Sequence, residues 1–140
     1  TGRRAGLVVV REGSVLLVRQ YRLLIDALSW EIPGGRIEDA ETPEQAAVRE
    51  CLEETGLECR NLEPLLSFHP GLDTMHNPTF VFHSNQFEET ANFQMDSHEV
   101  VHREWVPLDE CISRIFDNQI VDSLSIVSLL AYDKLMGSRA

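Results

Sequence analysis

Glu50, Glu53 and Glu54 lie on a stretch that reads as a helix, at positions i, i+3 and i+4. At about 100° per residue, the three carboxylates share an arc of roughly 100°. Like charges so placed repel by roughly 0.2–0.5 kcal/mol per pair. Glu53 and Glu54 also fall in the last turn, where the helix dipole disfavours an anion by about 0.3–1 kcal/mol each. A hard divalent cation turns each of these penalties into attraction, because such ions take oxygen ligands. The chemistry on offer is therefore coordination of a cation by convergent carboxylates.

A helix must present these side chains, and its ends are marked. Thr42 is suited to the N-cap, Pro43 to the first helical position, and Gln45 completes a capping box with Thr42. Gly56 supplies a left-handed stop. Ala47, Val48, Cys51, Leu52 and Thr55 share the face opposite the carboxylates, so that face should pack while the acidic one stays in water. Just upstream, Pro33-Gly34-Gly35 reads as a tight turn whose bare backbone can approach a ligand closely.

The remaining chain alternates strand and helix signals. Gly6 to Val10 and Ser14 to Tyr21 read as strands joined through Glu12-Gly13. Further strands are expected at Leu28 to Ile32, Leu62 to His69, Thr79 to Phe87 and Val100 to Val106. A loop rich in turn residues, Pro70 to Pro78, separates the middle two. Helices are expected at Leu108 to Phe116 and Ser123 to Met136. These elements predict an α/β fold, a mixed sheet flanked by helices, in one domain spanning 1–140.

Composition narrows the partners. A net charge of −11 argues against nucleic acid as the main partner, since phosphate-backbone binding needs clustered Lys and Arg. It leaves small phosphorylated ligands open, because a bound cation reverses the local sign. No apolar run is long enough to span a bilayer. Cys51, Cys59 and Cys111 are odd in number and lack metal-site spacing, which fits reduced thiols in a cytoplasmic protein. Thr1 in place of Met points to a trimmed or tagged start.

The stretch from Gly35 to Leu57 resembles the Nudix box: Gly35, Glu41, Arg49-Glu50, Glu53-Glu54 and Gly56-Leu57 fall at its fixed spacings, with Cys51 a mild departure. Leu28 to Gly35 and Glu104 to Glu110 resemble the family's strand entering the box and its late strand with the following helix. The resemblance implies a Nudix-type α/β/α sandwich with a mixed sheet. It implies Mg²⁺, with Mn²⁺ as an alternative, held by Glu50, Glu53, Glu54 and the carbonyl of Gly34, while Glu41 and Arg49 orient the carboxylates. The general base would be a box glutamate or a residue of the late loop Gln94 to Glu99. There Glu99 is the preferred base or additional ligand, ahead of Asp96 and His98.

The implied reaction is hydrolysis of a phosphoanhydride in a nucleoside diphosphate linked to another moiety. Arg19 to Arg22, Leu28 to Gly35 and Pro70 resemble the ADP-ribose and nucleotide-sugar branch. Arg22 and Arg36 are expected to reach the substrate and Trp30 to line its base pocket. A homodimer is compatible with that branch. Two other readings stand beside it, a nucleoside-triphosphate house-cleaning pyrophosphatase and a catalytically silent nucleotide sensor.

Overall fold

The computed structural model describes residues 2–90, 93 and 100–139. Strand β1 (Arg4–Arg11) turns through Glu12 and Gly13, both at positive φ, into β2 (Ser14–Arg22). A short 3-10 turn (Leu23–Ile25) leads into β3 (Ala27–Glu31), followed by β4 (Gly34–Arg36) and α1 (Pro43–Thr55). Then come β5 (Leu57–Arg60), β6 (Glu63–Phe68), β7 (Thr79–Ser84), β8 (Gln86–Glu89), β9 (Val100–Pro107), α2 (Leu108–Phe116) and α3 (Ser123–Arg139).

Ala5 to Val10 are buried on both faces of β1, which is why that stretch is an uninterrupted small and apolar run rather than an alternating one. On one face Ala5, Leu7 and Val9 join Leu16, Ala47, Cys51 and Leu57 beneath α1. On the other, Val8 and Val10 join Val15, Leu17, Ile32, Val81 and Leu129 beneath α2 and α3. Each fully buried Val or Leu contributes about 1.5–3 kcal/mol, so these two clusters fix the order of layers as helix, sheet, helix.

The sheet splits where the site forms. β1 and β2 pair only beside their turn, at Val10 with Val15 and Arg11 with Ser14. Beyond that point they part. β1 pairs antiparallel with β4 and parallel with β7, while β2 pairs with β3 and β9. Pro33 ties the segment after β3 to β1, the Leu7 N–H donating to its carbonyl at 3.0 Å, and the Ile32 N–H donates to Ser125 Oγ on α3 at 3.0 Å. A cleft opens between the parted strands.

Three local expectations are corrected. Gly34-Gly35 is not a free turn but part of β4, because pairing with Gly6 and Ala5 overrides the weak strand preference of glycine. The stretch from Thr79 to Phe87 is two strands rather than one. Ser84 Oγ donates to the Arg60 carbonyl at 2.6 Å and accepts from the Gln86 N–H at 3.1 Å, diverting the backbone from its ladder. β5 is a strand absent from the sequence reading, and it pairs with the split-off β8.

Candidate functional site

The capping box of α1 forms as its residues require: the Gln45 N–H donates to Thr42 Oγ1 at 3.1 Å and the Thr42 N–H to Gln45 Oε1 at 3.0 Å. Gly56 ends the helix at φ 76°, donating to the Leu52 carbonyl. Ala46, Ala47, Cys51 and Thr55 are buried against the sheet, and this packing sets the rotation of the helix. Glu50 and Glu54, one turn apart, are thereby directed at β4.

Here the expectation of a wet acidic face is corrected. Glu54 is only 7% exposed. Its Oε2 is buried with no hydrogen-bond partner. Glu50 rests on the backbone of β4: a β-carbon on Gly35 would come within 2.5–2.7 Å of the Glu50 carboxylate atoms. A β-carbon on Gly34 would come 2.6 Å from the Ala5 carbonyl oxygen. The two glycines are therefore required by close approach on opposite sides, Gly35 to the helix and Gly34 to β1.

Arg49 holds the rim of this site. Its Nε and Nη2 donate to the two oxygens of Glu41 at 2.6 and 3.0 Å. Its Nη1 reaches Glu50 at 3.0 Å and Glu53 at 3.3 Å, while Nη2 also donates to the Arg36 carbonyl at 2.9 Å. Such forked, charge-assisted contacts are the stronger kind. Glu41 in turn accepts from the Glu38 N–H, tying down the loop before the helix. Arg49 thus joins Glu41, Glu50, Glu53 and the backbone of β4 in one set of contacts.

Burial is the main electrostatic force on the paired carboxylates. It pushes the Glu54 carboxyl up to about 9, reinforced by the nearby Glu50 charge and the hydrogen bond between the two. Burial also raises Glu50, opposed by its hydrogen bond to Arg49. Burial and the Glu50 charge both act against the charged form of Glu54 in this place. An unpartnered buried oxygen and a pair of mutually repelling acids are what a hard cation relieves, so the donor set fits Mg²⁺ or Mn²⁺. Among the described residues, no three acidic, histidine or cysteine side chains converge closely enough to hold an ion as they stand. The Glu53 side chain is 59% exposed and turned to Arg49. Glu99, Asp96 and His98 lie outside the described residues.

The cleft between the parted strands has a volume of about 540 Å³ and begins at Gly34. Arg4, Arg22 and Arg36 line it, with Glu31, Asn77 and Asp122. Arg36, expected to reach the substrate, is one of the residues that line this cleft. Arg22 also lines the cleft, but its guanidinium is already forked onto buried Glu31, at 2.8 and 2.5 Å, and is not a free phosphate clamp. Trp30 is corrected. Strand alternation puts it on the face of β3 opposite Glu31, with Arg19 and Arg114 each 5.3 Å from its ring, and it does not line the cleft. Arg4, Glu31, Asn77 and Asp122 were not singled out from sequence, since only the split of the sheet brings them together. A smaller cavity of about 220 Å³, bordered by His83, Glu63, Tyr132 and Arg139, contains none of the box residues.

Residues 1–124 match the NUDIX domain family. The chain is 30% identical over 137 residues to the CMP-5'-(N-acetyl-N-hydroxy-3-aminopropyl)phosphonate hydrolase of Streptomyces rubellomurinus, over 96% of this chain and 66% of that protein. It is 29% identical over 125 residues to an ADP-ribose pyrophosphatase of Bacillus subtilis, over 87% of this chain and 66% of the relative. The chain thus spans just under two thirds of the length of both curated relatives. A solved structure, the crystal structure of an ADP compounds hydrolase, superposes with a TM-score of 0.87 at 14% identity, over 99% of this chain and 74% of the other. That likeness is one of fold, a sandwich of helices about a mixed sheet. With the box in place on α1 and β4 and the match running through most of its length, the chain belongs to the NUDIX domain family.

Proposed function

We propose that the chain hydrolyses a phosphoanhydride bond in a nucleoside diphosphate joined to a second moiety, with ADP-ribose or a nucleotide sugar as the substrate class. The observation that carries this reading is the buried Glu50–Glu54 pair. It lies against Gly35, one residue from the glycine that opens an arginine-lined cleft. The Bacillus subtilis relative is named an ADP-ribose pyrophosphatase, which supports the substrate class.

Glu50 and Glu54 would hold Mg²⁺ or Mn²⁺, joined by Glu53, the Gly34 carbonyl and Glu99 as the family resemblance implies. Bound there, the ion supplies charge neutralisation for a diphosphate and makes water a stronger nucleophile. Arg49 keeps Glu50 and Glu53 aimed, and its grip on Glu41 and the Arg36 carbonyl fixes the helix to β4. Arg4 and Arg36, side by side in the β1–β4 register, offer positive charge to the substrate phosphates. A carboxylate of the box, or Glu99, takes the proton from the attacking water. The water oxygen ends on one phosphorus and the bridging P–O bond breaks. Nucleoside monophosphate and a phosphorylated remainder leave.

Incubation with ADP-ribose and Mg²⁺, with products identified by mass, should give AMP and ribose phosphate. Release of pyrophosphate from nucleoside triphosphates instead would favour the house-cleaning reading. Binding of ADP-ribose without turnover would favour the silent sensor. The Streptomyces relative is named for a CMP derivative, so the panel should include cytidine as well as adenosine substrates.

A further inference from the structure

Ile32 and Pro33 link β3 to Gly34, the first residue of β4, and the hydrogen-bonding groups of these three residues go to separate places. Proline has no N–H, so the link offers only two donors, those of Ile32 and Gly34. The Pro33 carbonyl accepts from the Leu7 N–H at 3.0 Å. Leu7 with Pro33 is therefore a hydrogen-bonded position beside β4, and Gly6 with Gly34 is the alternate one, whose peptide groups face out of the ladder. The Gly34 N–H is thus free to act on the Glu54 carboxyl, where it favours the charged form. The Ile32 N–H turns to α3 instead.

Ser125 receives it. Ile32 is 2% exposed and Ser125 fully buried. Ser125 Oγ accepts from the Ile32 N–H at 3.0 Å and donates to Asp122 Oδ2 at 2.7 Å. The same Asp122 oxygen accepts from the Ser125 N–H at 3.0 Å. Asp122 therefore fixes which way the hydroxyl points, and the hydroxyl fixes Ile32. Leu124 adds a packing contact, since a β-carbon on Gly34 would come 3.3 Å from its Cδ2 and one on Gly6 3.1 Å from its Cδ1. The first turn of α3 thus bears on the link that sets Gly34 beside Glu54.

Resting on the functional reading above, we propose that Ser125, oriented by Asp122, is a positioning residue for the cation site. Ser125 touches neither ion nor substrate in this role; it holds Ile32 so that Gly34 and Glu54 meet at a set spacing. Mg²⁺ demands near-ideal octahedral geometry, so a shift in one wall of its site weakens it. Alanine at 125 leaves the Ile32 N–H buried without an acceptor, and the link must move to find another.

The test is calorimetric titration of Mg²⁺ into the substrate-free protein, for wild type, Ser125→Ala and Ser128→Ala, with a melting curve for each. Ser128 is equally buried on the same helix and its Oγ has no partner, so Ser128→Ala removes the same atom without touching the link. Mg²⁺ should bind about 10-fold more weakly to Ser125→Ala and as tightly as wild type to Ser128→Ala. Should Ser125→Ala fail to fold, Leu124→Ala, which removes the methyl beside Gly34, carries the same expectation. Unchanged affinity in the Ser125 variant overturns the proposal. An equal loss in Ser128→Ala overturns it too, because the cause would then be a general loosening of α3. Wild type that binds no Mg²⁺ has no site to position, and the proposal falls. Wild type that binds Mg²⁺ but leaves ADP-ribose and the other nucleotides intact removes the functional reading alone.

Discussion

The Glu50 carboxylate occupies the space that a β-carbon on Gly35 would need, 2.5–2.7 Å from its atoms. A side chain at position 35 would oblige that carboxylate to move. The helix that carries the acids and the strand that carries the glycine are pressed together at one point, and the acid–strand spacing is set by the absence of a side chain.

Gly35→Ala should therefore push Glu50 off β4. The expected outcome is a loss of turnover of at least about 10-fold, with destabilisation of about 1–3 kcal/mol from overpacking. Activity and urea denaturation read the two effects, and unchanged turnover would separate Glu50 from the reaction.

Glu54→Gln removes the ability to ionise while keeping the shape. Turnover should drop by orders of magnitude while the melting temperature of the metal-free protein holds or rises, because a neutral side chain suits this buried place. A variant as active as wild type, with its metal requirement intact, would take Glu54 out of the mechanism.

The Glu54 carboxyl, pushed up to about 9 when folded, gives a pH dependence of definite sign. Between the unfolded value of about 4.3 and the folded one, the folded chain holds a proton that the unfolded chain has released. Stability of the metal-free protein should therefore fall as pH rises through that window. Chemical denaturation in chelator between pH 5 and 9 measures the slope, and a rise would contradict the burial of Glu54.

Millimolar Mg²⁺ should raise the melting temperature, since an ion that binds only the folded site stabilises it by about 2.7 kcal/mol at a hundred times its dissociation constant. The shift should be larger at pH 8 than at pH 6, because protons compete for the same oxygens. Absence of any shift at either pH would count against a site formed before substrate arrives.

Trp30→Ala separates packing from binding. Trp30 is held between Arg19 and Arg114 and packs on the core beneath α2 and α3. The variant should lose about 2–4 kcal/mol of stability with KM for ADP-ribose within twofold of wild type. A tenfold rise in KM with stability intact would return Trp30 to the substrate.

The signals that could be read in the chain were local ones. Thr42, Pro43, Gln45 and Gly56 specify both ends of α1 through contacts within four residues, and the helix runs from Pro43 to Thr55 as they require. The three glutamates could be placed on it because helical spacing is a property of sequence distance. Two short strands were missed for the converse reason. Gly34–Arg36 and Leu57–Arg60 have little preference of their own and exist because β1 and β8 offer them ladders.

The order of acids, arginine and glycines in the box is thus fixed by the chain itself, and with it the kind of ion such a set would take. Tertiary packing decided the setting of each acid: Glu54 is buried while Glu53, its neighbour, stays in water. It also decided that Arg22 answers to Glu31, that Trp30 turns away from the cleft, and that Asn77 lies in its wall. These outcomes depend on which strands part and which surfaces meet, and such contacts join residues tens of positions apart that no local spacing can relate.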